Sequence, residues 1–428
     1  MCYNTPMERF TRTRKRLLVP ILAVAVLAQT GCATFNNFKD AFFDDGRDPE
    51  ETIRIGVFQP LSGKDSEYGE LERIGIELAN EYRPKVLGKE VELLYADNKS
   101  DIYIAELAIQ DLIAKRPAIV LGSYGGVYSL IAAEFLEKAR IPAIAITTKN
   151  PLVTSNNPYY FRVCYVDSFE GVAVAKYAGE VMGVGTAAIL KARDDDYATA
   201  VSQVFQEKIE QITGNPNAIV SSRDYAPGET DFMFYLQTII NFEAEVVFLP
   251  VGVDDAAAIL KQAVELNVDV TFLGTGEWDT QELVEKAGEE AASLVAFSTI
   301  FDPDTGITQT TNIFLREYRN KYGEDAVPPS AVALAFDAYM IALDALERTG
   351  TALNSDRLVS VLASTREFPG ASGSITFDDK GDPIKSVVIK AVQYGEIVSI
   401  HTVEPTWVDI TEPEELDWEE GAPDGGPG

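Results

Sequence analysis

Two loops carry the residues best suited to hold a small polar molecule. Ser123-Tyr124-Gly125-Gly126 follows the apolar run at 119–121, and Thr147-Thr148-Lys149 follows the run at 141–146. Hydroxyls, backbone N–H groups beside glycine and one ammonium thus gather at the ends of two short buried strands. That is how α/β proteins build the mouth of a binding cleft. Covalent chemistry is poorly served by the same chain. Its single histidine, His401, stands near the C-terminus, which argues against a histidine-based triad or a multi-histidine metal site. No nucleophile paired with a base is evident, so no enzyme and no cofactor are expected. Asp194-Asp195-Asp196 suggests calcium at first sight. Consecutive carboxylates point in different directions, however, whereas a loop site alternates its ligands, and no metal is expected.

The elements that must position these loops alternate between strand and helix. Apolar runs predict strands over 53–58, 91–95 and 118–121, with amphipathic helices over 71–82 and 104–114 between them. A second series follows Asp167, with helices over 171–182, 199–213, 231–241 and 256–266 and strands over 187–191, 218–222, 246–250 and 271–273. Repeated βαβ units imply parallel sheets with helices on both faces, and two similar series imply two lobes with a cleft between them. Asp254 and Asp255 open one of these helices and read as its cap. Trp278 reads as a core anchor for its loop.

The ends of the chain say where it works. Arg9, Arg12, Arg14, Lys15 and Arg16 precede an apolar run over 17–28, which is shorter than the roughly 20 residues a membrane-spanning helix needs. This is the pattern of a secretory signal peptide. If Cys2 leaves with it and Cys32 carries lipid, Cys164 is the only thiol left, no intrachain disulfide can form, and the fold rests on its core. The formal net charge of −31 gives a surface that repels nucleic acid and anionic lipid. Residues 32–52 read as an acidic spacer. Residues 409–428, acidic, Pro/Gly-rich and without a basic residue, read as a disordered tail that either solubilises the protein or docks a partner.

Two resemblances then become specific. Leu27-Ala28-Gln29-Thr30-Gly31-Cys32 resembles the lipobox of bacterial lipoproteins, with Gln29 where the pattern has leucine. It implies a protein anchored by lipid at Cys32 in the bacterial cell envelope, facing the periplasm or the exterior. The stretch from Ile53 to Val403 resembles the solute-binding proteins of the branched-chain amino-acid type that serve ABC importers. Pro-Leu-Ser-Gly through Tyr68-Gly69, the block from Gly122 to Pro151, Phe272 to Asp279, Asp302-Pro-Asp-Thr-Gly with Phe314 to Gly323 and Ala335 to Tyr339, and the closing Gly373 to Asp382 carry that resemblance. It implies the type I periplasmic-binding fold, two doubly wound parallel-sheet lobes joined by a hinge of three crossings. Residues 53–167 plus 300–372 are expected in one lobe and 168–299 plus 373–403 in the other. The implied protein is a monomer that binds an amino acid or small carboxylate and hands it to an ABC permease. A sensing or envelope-enzyme-regulating lipoprotein of the same fold is the alternative.

The resemblance also implies roles. The Ser123–Gly126 turn, at a helix N-terminus, would hold a carboxylate. Glu277 would hold an ammonium, and Tyr68 and Tyr197 would close the pocket. The family's carboxylate-binding serine falls on Gly126, its next pair of positions on Thr147 and Lys149 with Thr148 between, and its second-lobe tyrosine near Gly252 or Val253. A lysine at 149 would repel an α-ammonium and attract an anion. Each residue has a competing reading: Gly125-Gly126 as a plain tight turn, Lys149 facing solvent or pairing with a nearby acid, Tyr197 on the rim, Tyr68 as packing.

Overall fold

The computed structural model describes residues 52–305 and 307–404. The signal peptide, Cys32, the spacer up to residue 51 and the tail at 409–428 lie outside the described residues. From Ile53 onward the described chain belongs to one compact unit.

The first sheet is built from β1 (Thr52–Gln59), α1 (Ser66–Tyr82), the hairpin β2 (Lys85–Val86) and β3 (Lys89–Asp97), α2 (Ile102–Ala114), β4 (Ile119–Leu121), α3 (Gly126–Ala139), β5 (Ala143–Ala145) and β6 (Tyr160–Arg162). Its order is β2-β3-β1-β4-β5-β6, and the β1–β4, β4–β5 and β5–β6 pairs are parallel. Strands β4 and β5 are fully buried, as their unbroken apolar runs require for a sheet covered on both faces.

The chain then crosses into a second series: α4 (Asp167–Lys176), β7 (Ala187–Ala192), α5 (Asp196–Thr213), β8 (Ile219–Tyr225), α6 (Met233–Asn241), β9 (Val246–Phe248), α7 (Val253–Glu265), β10 (Thr271–Gly274), the short α8 (Gln281–Ala287) and α9 (Glu289–Ala292), and β11 (Val295–Thr299). It returns as α10 (Gln309–Tyr322), α11 (Ser330–Thr349) and α12 (Ser355–Ala363). Helix α11 packs against α1 of the first series, where a Cβ on Gly75 would stand 2.3 Å from the Val332 carbonyl oxygen. Only glycine permits that approach. A small antiparallel sheet of β12 (Phe368–Gly370), β13 (Gly373–Phe377) and β14 (Pro383–Ile384) follows, and β15 (Val387–Gln393) and β16 (Glu396–Val403) complete the second sheet, of order β16-β15-β11-β10-β9-β7-β8.

Helix starts differ from the sequence reading because side-chain caps extend them. Asp101 accepts from the N–H groups of Tyr103 and Ile104, and Asp195 from that of Ala198, so both helices begin earlier than their apolar periodicity does. Asp254 and Asp255 are not caps. Helix α7 starts at Val253 behind Gly252, Asp254 pairs with Lys286, and Asp255 accepts from the Tyr225 hydroxyl at 2.6 Å. The sequence reading places residues 373–403 in the second lobe, with 168–299. Strand β13 pairs with β12, Phe377 packs on Phe161, and Asp382 pairs with the buried Arg162 of β6 and accepts from Thr154 at 2.8 Å. The passage into the second sheet therefore comes at about Lys385. A buried polar cluster stands there: Asp337 of α11 accepts from the Ser372 N–H at 2.9 Å and from the Ala371 N–H, and Lys385 donates to the Ser372 hydroxyl. Burial drives the Lys385 ammonium down to a pKa of about 8, against the pull of Asp337.

Candidate functional site

Every candidate residue sits at or just beyond the carboxyl end of a parallel strand, where open α/β sheets bind ligands. Tyr68 follows β1 on α1, the Ser123–Gly126 turn follows β4, and Lys149 follows β5. From the second sheet come Tyr197 after β7, Gly252 after β9 and Glu277 after β10.

On the first face, Tyr68 and Tyr124 stack with ring centroids 4.4 Å apart and planes 5° off parallel, and Tyr68 stays half exposed. Gly125, in the left-handed region at φ 85°, turns the chain into α3, whose N-terminus no side chain caps. Its first N–H groups and dipole therefore suit an anion. The hydroxyls predicted beside it turn inward. Ser123 is fully buried, accepts from the Asn98 amide at 3.0 Å and donates to the Tyr124 carbonyl at 2.9 Å. Thr148 donates to the Ser123 carbonyl at 2.6 Å and lies 3.0 Å from the Ser129 hydroxyl. These two hydroxyls brace the loops and are not available to a ligand. Thr147 is likewise committed, donating to Glu72.

Glu72 was not foreseen. It is fully buried on α1 and accepts from Thr147 and from the Gln59 amide, whose oxygen in turn accepts from the Tyr124 N–H at 3.0 Å. Burial pushes its carboxyl up to about 7 in spite of those bonds. Glu72 thereby holds the turn from beneath.

On the second face the central residue is Glu170, also unforeseen. It is fully buried on α4, and five donors reach its carboxylate: the Lys149 ammonium at 2.7 Å, Tyr197 at 2.8 Å, Ser298 at 2.7 Å, the Gly276 N–H at 2.9 Å and Tyr165 at 3.1 Å. Burial raises its pKa, but the Lys149 charge and these bonds outweigh that and hold the group below the ordinary carboxylate range. Lys149 also lies 5.1 Å from the centre of the Tyr165 ring. It is thus paired with an acid, and through this contact the loop after β5 meets helix α4. The only signal for Glu170 in the sequence was the need of Lys149 for a partner.

Glu277 differs. It stands on the short turn Gly276–Trp278, anchored from below by buried Trp278, which donates to the Val251 carbonyl at 2.7 Å. The residue keeps solvent access, but the protein around it crowds its carboxylate. That carboxylate has no hydrogen-bond or ion-pair partner among the described residues. Loss of hydration among the surrounding loops raises its pKa, Lys149 draws it down, and Glu170 and Asp195 raise it further. Its charge also reaches the Tyr124 phenol of the opposite face. Gly252 lies alongside: a Cβ there would be 3.7 Å from a Glu277 carboxylate oxygen. Among the described residues no group of side chains could hold a metal ion.

This two-faced mouth has known counterparts. The family model of the periplasmic binding proteins matches residues 52–393. The chain belongs to that family. Its relatives include Leu/Ile/Val-binding protein homolog 2 of Brucella abortus, 23% identical over 338 residues that span 77% of this chain and 87% of that one. The leucine-, isoleucine-, valine-, threonine- and alanine-binding protein of Pseudomonas aeruginosa is 22% identical, over 78% of this chain and 87% of its own length. Among solved structures, the leucine-binding protein LivK of Thermotoga maritima superposes with a TM-score of 0.70 at 30% identity, covering 82% of this chain and 99% of that one. LivJ of Streptococcus pneumoniae, in complex with isoleucine, gives 0.70 at 25%, over 83% and 100%. This periplasmic binding protein accordingly has the type I fold, and the relatives named above are amino-acid-binding proteins by name. Family membership places its work outside the cytoplasm. Among the described residues no helix is long and apolar enough to cross a membrane.

Proposed function

We propose that this periplasmic binding protein is the lipid-anchored receptor of an ABC importer and that it holds an amino acid, or a closely related small carboxylate, between its two lobes. The observation that carries the reading is a pair of uncommitted, opposite features across one mouth. The α3 N-terminus has no capping side chain, and the Glu277 carboxylate has no partner among the described residues. A zwitterion satisfies both at once, with its carboxylate on the helix N–H groups and its ammonium on Glu277. The Tyr68–Tyr124 stack supplies an apolar wall beside them. The isoleucine bound by LivJ carries both a carboxylate and an ammonium, the two groups this mouth is suited to hold. The lipid at Cys32 and delivery to a permease belong to the same reading and rest on the lipobox and on the family.

Thermal-shift screening of the purified protein against amino acids and small carboxylates tests it. At least one amino acid should raise the melting temperature saturably, because a ligand bound only by the folded state stabilises it by mass action. A screen in which no member of either class does so would overturn the reading.

A further inference from the structure

Lys149 reaches from the loop after β5 to the buried Glu170 carboxylate on α4, whose other donors are Tyr165, just before α4, and Tyr197, Gly276 and Ser298 of the second series. The groups around its ammonium are those that recognise a free primary ammonium: the buried Glu170 carboxylate at 2.7 Å and the Tyr165 ring at 5.1 Å. The remaining donors fix that carboxylate rigidly. Tyr165, Ser298 and the Gly276 N–H share one oxygen, and Tyr197 and Lys149 share the other. An ionised carboxylate offers roughly four lone-pair sites, so five donors leave no room for another cation.

We propose that Lys149 is a tethered ligand, its side chain filling an ammonium site on the second lobe so that the protein draws its own cleft shut and an incoming solute must be held without that site. The solute class narrows accordingly: an ammonium on the solute meets Glu277, and a solute needing a second carboxylate for a second cation is excluded. That consequence rests on reading the mouth as a solute site, whereas the tethered ligand itself does not. Glu170 is a positioning residue, acting through Lys149.

Lys149→Ala vacates the site, and n-butylammonium chloride is the probe, with sodium chloride at equal ionic strength as control. The melting temperature of Lys149→Ala should rise by roughly 2–4 °C as the amine fills the vacated position. The unsubstituted protein and the Lys149→Ala/Glu170→Gln double variant should not respond. No response in Lys149→Ala, or an equal response in the double variant, would overturn the proposal. Neither readout needs the cargo, so failure here is separate from failure of the solute screen. Glu170→Gln keeps the volume of the site and covers the case in which Lys149→Ala does not fold. In small-angle scattering without solute, the unsubstituted protein should have the smaller radius of gyration, and equal radii would refute self-closure.

Discussion

Glu170→Ala is expected to cost about 3–5 kcal/mol of folding stability, the range for removing one partner of a buried ion pair. The loss exceeds that of one contact because four neutral donors lose their acceptor together with Lys149. Of these, Tyr165 and Ser298 are themselves buried. Each stranded donor carries its own desolvation cost. Urea denaturation measures the loss. Glu170→Gln, which retains an acceptor oxygen and the volume, should lose less. If alanine and glutamine variants unfolded at the same urea concentration as the parent, Glu170 would not organise the second face.

Stability should also fall with rising pH through a single buried group, Glu72. Folded, its carboxyl holds its proton up to a pH of about 7, against 4.5 ordinarily. Between those values the folded chain binds more protons than the unfolded one. The contribution of Glu72 is therefore fully present below pH 4.5 and is lost as the pH rises through about 7, amounting to about 3 kcal/mol by pH 8. Groups with depressed pKa values, such as Asp97 and Glu170, act in the opposite direction, so the quantity to measure is a difference. Relative to Glu72→Gln, the parent protein should lose about 3 kcal/mol between pH 4.5 and 8 in urea denaturation. Parallel pH profiles would remove Glu72 from the account. Because Gln59 links Glu72 to the Tyr124 N–H, the same titration should reach the turn that begins α3.

The features read correctly from the sequence are those that local physics fixes. Apolar runs followed by Ser, Thr and Gly clusters located β4, β5 and β10 and the loops beyond them, and the order of landmarks gave the family and its two lobes. Side-chain direction within those loops was not legible. Ser123 and Thr148 turn inward because Asn98 and Ser129, distant or offset in sequence, offer them partners. Glu72 and Glu170 are single acids inside helical patterns, and nothing in their spacing marks them as buried. Their roles exist only once α1 and α4 lie across the ends of the sheets. The contacts of the late hairpin were not legible for the same reason, since Phe161, Arg162 and Thr154 hold it through contacts made only in the folded chain.

A solute gripped between the α3 N-terminus and Glu277 should lose affinity when that carboxylate is neutralised. Calorimetric titration of the parent protein and of Glu277→Gln with the same amino acid measures this loss. Loss of one charge-assisted hydrogen bond, about 1.5–3 kcal/mol, should weaken the amino acid at least about tenfold. The analogue lacking the amino group should bind both proteins alike. An amino acid that binds Glu277→Gln as tightly as the parent would contradict the account.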